Sequence, residues 1–304
     1  MISQRVQAAV VVLFVLVIAG VVAMLLMRAE SDAPAGAGSS ADPGDDSEPT
    51  SAGPVGRLSL TSGRGDVVVR SLAGSCSTAG GPKLELSENQ GRTFHDLRVP
   101  QVGEGTGVGL SSPAIQAIVA IEATSPAKLT VFGADEKCDV HRYTTDDGGQ
   151  TWRQESGAVE EWYIDPRSGG VVSPNGPTDP GCKTVGALVP VSTTTAKVFC
   201  AGGSVRSTID GGALWTVVGL LKGVAGAVFT SELTGYAEVS EPTCKSRIQA
   251  TIDGGVTWVP KGCILSDQLL PGFSGTPKRL VAGGPAGSRI STDDGVTWTP
   301  PTKK

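Results

Sequence analysis

The chain opens on its longest apolar run. Val6 to Met27 is 22 residues without a charge, made mostly of Val, Leu, Ile and Ala. At ~1.5 Å per residue a helix of that length crosses a hydrocarbon core of ~30 Å, so the segment is expected to be a transmembrane anchor. It is longer than the ~7–15 apolar residues of a cleaved signal, and the Ala-x-Ala site at Ala33 to Ala35 lies well beyond it. Residues 29–54 then lose every large apolar side chain and are rich in Ala, Ser, Gly, Pro and acids. A stretch that can bury so little cannot offset its ordering entropy and is expected to be a flexible linker. From residue 55 the pattern becomes one of short alternating or apolar runs separated by Gly, Pro and Asp, as at Lys128 to Phe132, Ala196 to Phe199, Gly235 to Val239 and Lys278 to Ala282. That pattern predicts short β-strands and frequent turns. Three regions follow: stub and anchor (1–28), linker (29–54) and an all-β region (55–304).

Within the β region one eight-residue pattern recurs, Ser/Thr-x-Asp-x-Gly-x-Thr-Trp. It is complete at Thr145, Asp147, Gly149, Thr151 and Trp152, at Thr251, Asp253, Gly255, Thr257 and Trp258, and at Ser291, Asp293, Gly295, Thr297 and Trp298. A fourth copy, at Thr208, Asp210, Gly212, Leu214 and Trp215, has Leu for Thr. A fifth, at Ser87, Asn89, Gly91, Thr93 and Phe94, has Asn for Asp and Phe for Trp. Four of the five tryptophans in the chain occupy this slot, so the repeat is structural in origin. An Asp that accepts backbone N–H groups, followed by a Gly able to take a positive φ, makes a hairpin turn. Each unit is therefore expected to hold about four short strands, with the box between the last two and its aromatic packed between neighbouring sheets.

These boxes resemble those of the BNR/Asp-box β-propellers, a family that includes bacterial sialidases, sortilin-type receptors and photosystem II assembly-factor propellers. The resemblance spans roughly residues 55–300 and implies a β-propeller of four-stranded blades. Aromatic-to-aromatic spacings are 58, 63, 43 and 40 residues, of which the last two match a blade of ~40–45 residues and the first two imply insertions. Five boxes imply five blades, with a sixth, boxless blade as the alternative. In such a blade the end of the fourth strand lies beside the start of the third, which pairs Cys263 with Cys244. The start of a first strand lies beside the end of the second, which pairs Cys182 with Cys200. Cys76 and Cys138 are left as the third pair. All six cysteines follow residue 75, so disulfides and an extracytoplasmic location are expected, with the chain a single-pass protein of the cell membrane.

The family's sialidases would make the chain a surface glycan hydrolase or glycan-binding module. They hold the sugar carboxylate with three arginines and use a Tyr nucleophile assisted by Glu. This chain lacks the Arg-Ile-Pro signature of the first such arginine, and its tyrosines are Tyr143, Tyr163 and Tyr236. Tyr236 and Glu238, two apart on a predicted strand, share a face and form one candidate ligand-binding pair. A second candidate is the cluster Glu161, Trp162 and Tyr163, which holds the one tryptophan outside a box. Arg206 and Arg289 recur two residues before their boxes, where a solvent-facing strand position is expected. The tripeptide Arg64, Gly65 and Asp66 reads as a Gly turn. No catalytic residue is assigned. With no Cys-x-x-Cys pair and only His95 and His141, no metal site or cofactor is predicted.

Charge narrows the partner. The net charge of −5 divides into +2 on residues 1–28, −6 on residues 29–54 and −1 on residues 55–304, which leaves no basic footprint for nucleic acid. Forty-two glycines and 39% apolar residues are enough for a core with many turns. The preferred expectation is a non-enzymatic recognition or assembly platform, anchored in the membrane by Val6 to Met27 and facing an envelope protein or, alternatively, a glycan.

Overall fold

The computed structural model describes residues 58–62, 66–76, 81–103, 114–266, 269–276, 278–284 and 287–300. The expected anchor, the linker and Arg64 and Gly65 lie outside them. Among the described residues no helix is long and apolar enough to cross a membrane.

Every regular element is a β-strand, and the strands form six antiparallel sheets. The first holds β1 (Leu58–Ser62), β2 (Val68–Leu72), β3 (Lys83–Ser87) and β4 (His95–Leu97). The second holds β5 (Ala117–Ala123), β6 (Leu129–Ala134), β7 (Val140–Thr145) and β8 (Arg153–Glu155). The third is short, with β9 (Tyr163–Ile164), β10 (Val171–Ser173) and β11 (Gly176–Thr178). The fourth holds β12 (Val185–Pro190), β13 (Ala196–Cys200), β14 (Ser204–Thr208) and β15 (Thr216–Leu220). The fifth holds β16 (Val224–Phe229), β17 (Gly235–Glu241), β18 (Cys244–Thr251) and β19 (Val259–Cys263), and the sixth β20 (Gly272–Thr276), β21 (Arg279–Gly284) and β22 (Gly287–Ser291). Each sheet is a simple meander whose spatial order follows the chain, as short turns between consecutive strands dictate.

First strands meet first strands. β1 contacts β5, β5 contacts β9, β12 contacts β16, β16 contacts β20, and β20 returns to β1. The third and fourth sheets meet through Trp162 and Trp215, whose rings are 5.9 Å apart and edge-on. The ring closes where Val281 of the last sheet packs on Val68 and Phe94 of the first and Arg279 donates to the Gln90 carbonyl at 3.0 Å. The arrangement is propeller-like, with first strands at the hub.

Five boxes fall in five sheets, and the third sheet has none. Its strands are two or three residues long, too short to leave a periodic trace, and it accounts for much of the 63-residue spacing between Trp152 and Trp215. The described residues thus form six sheets, where five boxes implied five blades with a sixth, boxless one as the alternative. The 58-residue spacing before it comes from the connection between Leu97 and Ala117.

The box geometry explains its residue types. In the last four boxes the Ser/Thr hydroxyl donates to the Asp carboxylate at 2.7–2.9 Å and accepts the Gly N–H at 2.9–3.1 Å. The N–H four residues after each Asp donates to the same carboxylate. A Thr there adds its hydroxyl, at 2.5–2.6 Å for Thr151, Thr257 and Thr297. Asn89 has no second anionic oxygen, and its amide donates to the Thr93 hydroxyl instead. The box glycines hold φ from +78° to +98°, a region costly for any residue with a Cβ. Trp258 packs between Phe199 and Phe229 of adjoining sheets, and Trp298 against Phe273.

Two bridges join strand neighbours, Cys182 to Cys200 with Cα atoms 5.4 Å apart and Cys244 to Cys263 at 6.0 Å. Cys76 and Cys138, the third expected pair, are free thiols. Cys76 and Cys138 meet in hydrogen-bonding contact, and burial with that contact pushes Cys76 up to about 12. Cys138 reaches this place in a left-handed turn, at φ 63°.

Candidate functional site: the hub channel

The first strands enclose a cavity of 530 Å³ that runs along the hub. Its wall is Ala117 to Glu122 of β5, Glu161 to Ile164 around β9, Gly186 to Pro190 of β12, Ala225 to Val228 of β16, and Pro271 with Phe273 to Gly275 at β20. Most of this surface is apolar, because first strands here read as runs of Ala, Val, Ile and Gly without alternation. Ile121, Val189 and Phe273 border it but are buried in the inter-sheet cores. A concave, mostly apolar site with a few converging polar groups is the usual form of a binding pocket.

The converging polar groups are carboxyls. Glu122 is exposed and Glu161 half-buried; burial, and after it the neighbouring Glu122, raise Glu161 to about 7, against the Trp162 N–H that donates to its Oε1 at 2.8 Å. The pair lies toward the end of the channel that carries the box turns. Glu122 sits one residue from the β5–β6 turn, whose Ala127 carbonyl accepts the N–H of box residue Gly148. Tyr163 lines the same wall, its phenol raised by burial and by Asp165, with Arg167 opposing.

Of the residues singled out from sequence, Glu161 and Tyr163 reach this channel. Trp162 borders it, but its indole is 1% exposed, donates to the Ser192 carbonyl at 2.9 Å and packs on Trp215. That ring belongs to the core, which corrects its expected place at a binding surface. Tyr236 and Glu238 do share a strand and a burial state, but neither lines the channel. Tyr236 donates to Asp294 of the next sheet and packs with Ile248 and Leu280. Glu238 is fully buried, accepts from Ser246 and from the Leu270 N–H at 2.9 Å, and is raised by burial. The expected Tyr/Glu ligand pair is therefore an inter-sheet brace. Arg206 lies against Gly181 and Arg289 donates to the Ser288 carbonyl, both on third strands. Tyr143 is fully buried.

Glu122 was not anticipated. The one clue is a lone acid ending the otherwise apolar strand Ala-Ile-Val-Ala-Ile-Glu-Ala. The packing of β5 against β9, first strands of consecutive sheets, puts it in the same wall as Glu161.

The box aspartates act as turn acceptors, Asp147, Asp210 and Asp293 exposed and Asp253 half-buried. The Thr257 hydroxyl and backbone N–H lower Asp253 to about 2. Thr151 lowers Asp147 and Thr297 lowers Asp293, while Asp210, facing Leu214, is lowered first by a backbone N–H alone.

No family model matches the chain, and neither does any curated protein. Solved structures do. YCF48 bound to D1 peptide aligns with 13% identity over 81% of this chain and 66% of that one, at a TM-score of 0.30. YCF48 from Cyanidioschyzon merolae gives 14% identity over 77% and 81%, at 0.45. The GH74 xyloglucanase from Xanthomonas campestris gives 12% over 77% and 44%, at 0.32. The chain thus spans 66% of the first of these proteins and less than half of the third.

Proposed function

We propose that the chain is a six-bladed Asp-box propeller, held at the cell membrane by Val6 to Met27 with residues 55–304 outside, and that it serves as a recognition or assembly platform for a polypeptide partner. The observation that carries the reading is the cavity of 530 Å³ walled by the first strands, mostly apolar, with the carboxyls of Glu122 and Glu161 in its lining. The two bridges, each between neighbouring strands, support an oxidising compartment.

Photo-crosslinking tests this. A benzoylphenylalanine placed at Ala225, a half-buried residue of the cavity wall, in the full chain and irradiated in intact membranes, should capture a polypeptide. The same residue at the solvent-facing Ile252, 81% exposed, should not give that product. Capture from neither site, or equal capture from both, would refute a channel that recognises protein. Protease added outside spheroplasts should digest the 55–304 region; a protected region would refute the orientation.

A further inference from the structure

Among the described residues Glu238 is the only buried acid. Its Oε1 accepts the Ser246 hydroxyl of β18 and the Leu270 N–H at 2.9 Å, while its Oε2 is buried with no hydrogen-bond partner. We propose that this carboxyl is a proton-operated latch on the channel wall: protonated, it holds Leu270 and Pro271 against β16, and ionised, it releases them. Control of entry to the cavity follows, and that consequence rests on the cavity being the recognition site.

Glu238 lies opposite Gly226 in the β16–β17 ladder, and residues so paired point to the same face. Gly226 puts no side chain in the way of the carboxyl, and the Pro271 carbonyl comes so close that a Cβ there would sit 2.2 Å from its oxygen. Both Gly226 and Pro271 line the cavity. Gly284 also abuts the segment, since a Cβ on it would be 2.8 Å from Leu270 Cδ2 and 2.9 Å from the Leu269 oxygen. Pro271 has no N–H to give a ladder. The next donor upstream is the Leu270 N–H, and Glu238 takes it. At the box-turn end the same two sheets are held independently, by Lys261 on Asp294 at 2.7 Å and the Gly262 N–H on the Gly295 carbonyl at 3.1 Å. Release at Leu270 therefore loosens one end of the joint without opening the ring.

No cation compensates the carboxyl. On β17 its titratable neighbours are Tyr236, which donates to Asp294, and Glu241, which accepts from Arg247 at 3.2 Å and from Gln249 at 3.0 Å. On β18 Lys245 and Arg247 flank Ser246 and so take the opposite face. β16 carries no charge, and Ile264, Leu270, Phe273, Leu280 and Ala282 are apolar. Burying an ionised carboxylate in such surroundings costs far more than burying a neutral one. Burial accordingly raises Glu238, and the Leu270 and Ser246 bonds oppose it. Once the segment moves, water reaches Oε2 and the group returns to its ordinary range. The closed wall thus holds the proton more tightly than the open one. Its advantage is complete below the ordinary carboxylate range and is lost as pH rises from there through the raised value.

Hydrogen–deuterium exchange of the full chain in detergent, from pH 5 to pH 9 and corrected for intrinsic exchange, tests the latch. Opening of residues 269–276 should increase by up to about tenfold per pH unit within that window, while β3, in the first sheet, shows no such gain. E238Q keeps an acceptor oxygen for Ser246 and Leu270 and never ionises, so its opening should not change with pH. An unchanged far-ultraviolet spectrum at pH 5 makes that comparison interpretable; should E238Q fail to fold, the two segments of the parent still decide. Opening of 269–276 that ignores pH, an equal gain in β3, or the same gain in folded E238Q would overturn the inference. Exchange needs no partner, so the two readings fail separately. Polypeptide capture from Ala225 with pH-independent exchange would discard the latch and leave the platform standing. The expected exchange without capture from Ala225 would do the reverse.

Discussion

Removing the Cys244–Cys263 bridge should cost the fold a calculable amount. Cys244 is the first residue of β18 and Cys263 the last of β19, so the bridge closes a loop with a sequence separation of 19 that contains the whole box from Thr251 to Trp258. Opening a loop of that size restores denatured-chain entropy worth about 3 kcal/mol at 25 °C. For a folded region of this size, 1 kcal/mol moves the melting temperature by ~2–4 °C, so the C244A/C263A double variant should melt ~6–12 °C below the parent. Cys244 is 4% exposed, and alanine rather than serine keeps a hydroxyl out of its site. The assay is thermal unfolding followed by circular dichroism at a fixed scan rate, with and without dithiothreitol. Reductant should lower the parent further than the variant, since the variant retains only the Cys182–Cys200 bridge. A shift under ~2 °C, or a reductant effect equal in the two proteins, would refute both the magnitude and the role given to the loop.

Three further outcomes follow from particular contacts. Leu214→Thr puts a hydroxyl where the other complete boxes have one, and Leu214 is 65% exposed, so the change should raise the melting temperature by about 2 °C. Because it lowers Asp210 further, the gain should be present above the ordinary carboxylate range and lost as pH falls through the lowered folded value; a gain that persists in acid would refute the mechanism. Cys76 and Cys138 should oxidise to a third bridge when exposed to oxidised glutathione, each thiol giving up one electron and one proton. The raised Cys76 should make this the slowest of the three to form, and non-reducing peptide maps that link either thiol elsewhere, or leave both free, would refute the pairing. Trp162→Phe removes the bond to the Ser192 carbonyl and part of the packing on Trp215, and should lower stability by about 1–2 kcal/mol in thermal unfolding. An unchanged melting temperature would refute the core role given to that ring.

The parts of this fold legible in the sequence are those where one residue type has one geometric task. Asp253 must accept, Gly255 must take φ +98°, and Trp258 must fill a gap between sheets, so the box repeats and the eye finds it. The disulfides were legible for a related reason, since the ends of adjacent antiparallel strands are close in any meander. The third sheet was not, because β9 to β11 have no box and too few residues for a period. Trp162 misled because an aromatic beside an aromatic, away from any box, looks the same whether it faces solvent or Trp215. Tyr236 and Glu238 misled differently: the same-face rule placed them together correctly, but a second strand's faces both lie between sheets, so sharing a face gives no access to ligand. Glu122 and Glu161 are 39 residues apart on different sheets, and nothing local to either announces the other.

The architecture separates what holds the ring from what the ring can recognise. Each box anchors its turn with bonds that begin and end within eight residues, and the box aspartates face solvent, where charge is cheap. The hub strands repeat no residue. Their common property is smallness, as at Gly226, where a Cβ would sit 2.2 Å from the Pro271 carbonyl oxygen; that contact brings β16 against the segment entering β20 and narrows the channel. Into such a wall a carboxyl pair is an expense that neither packing nor turn chemistry requires. Retaining a proton lowers that expense without removing it, since the raised Glu161 means the fold loses stability as pH climbs from the ordinary carboxylate range to about 7. Local conflicts of this kind, tolerated in an otherwise self-consistent fold, are expected at functional sites.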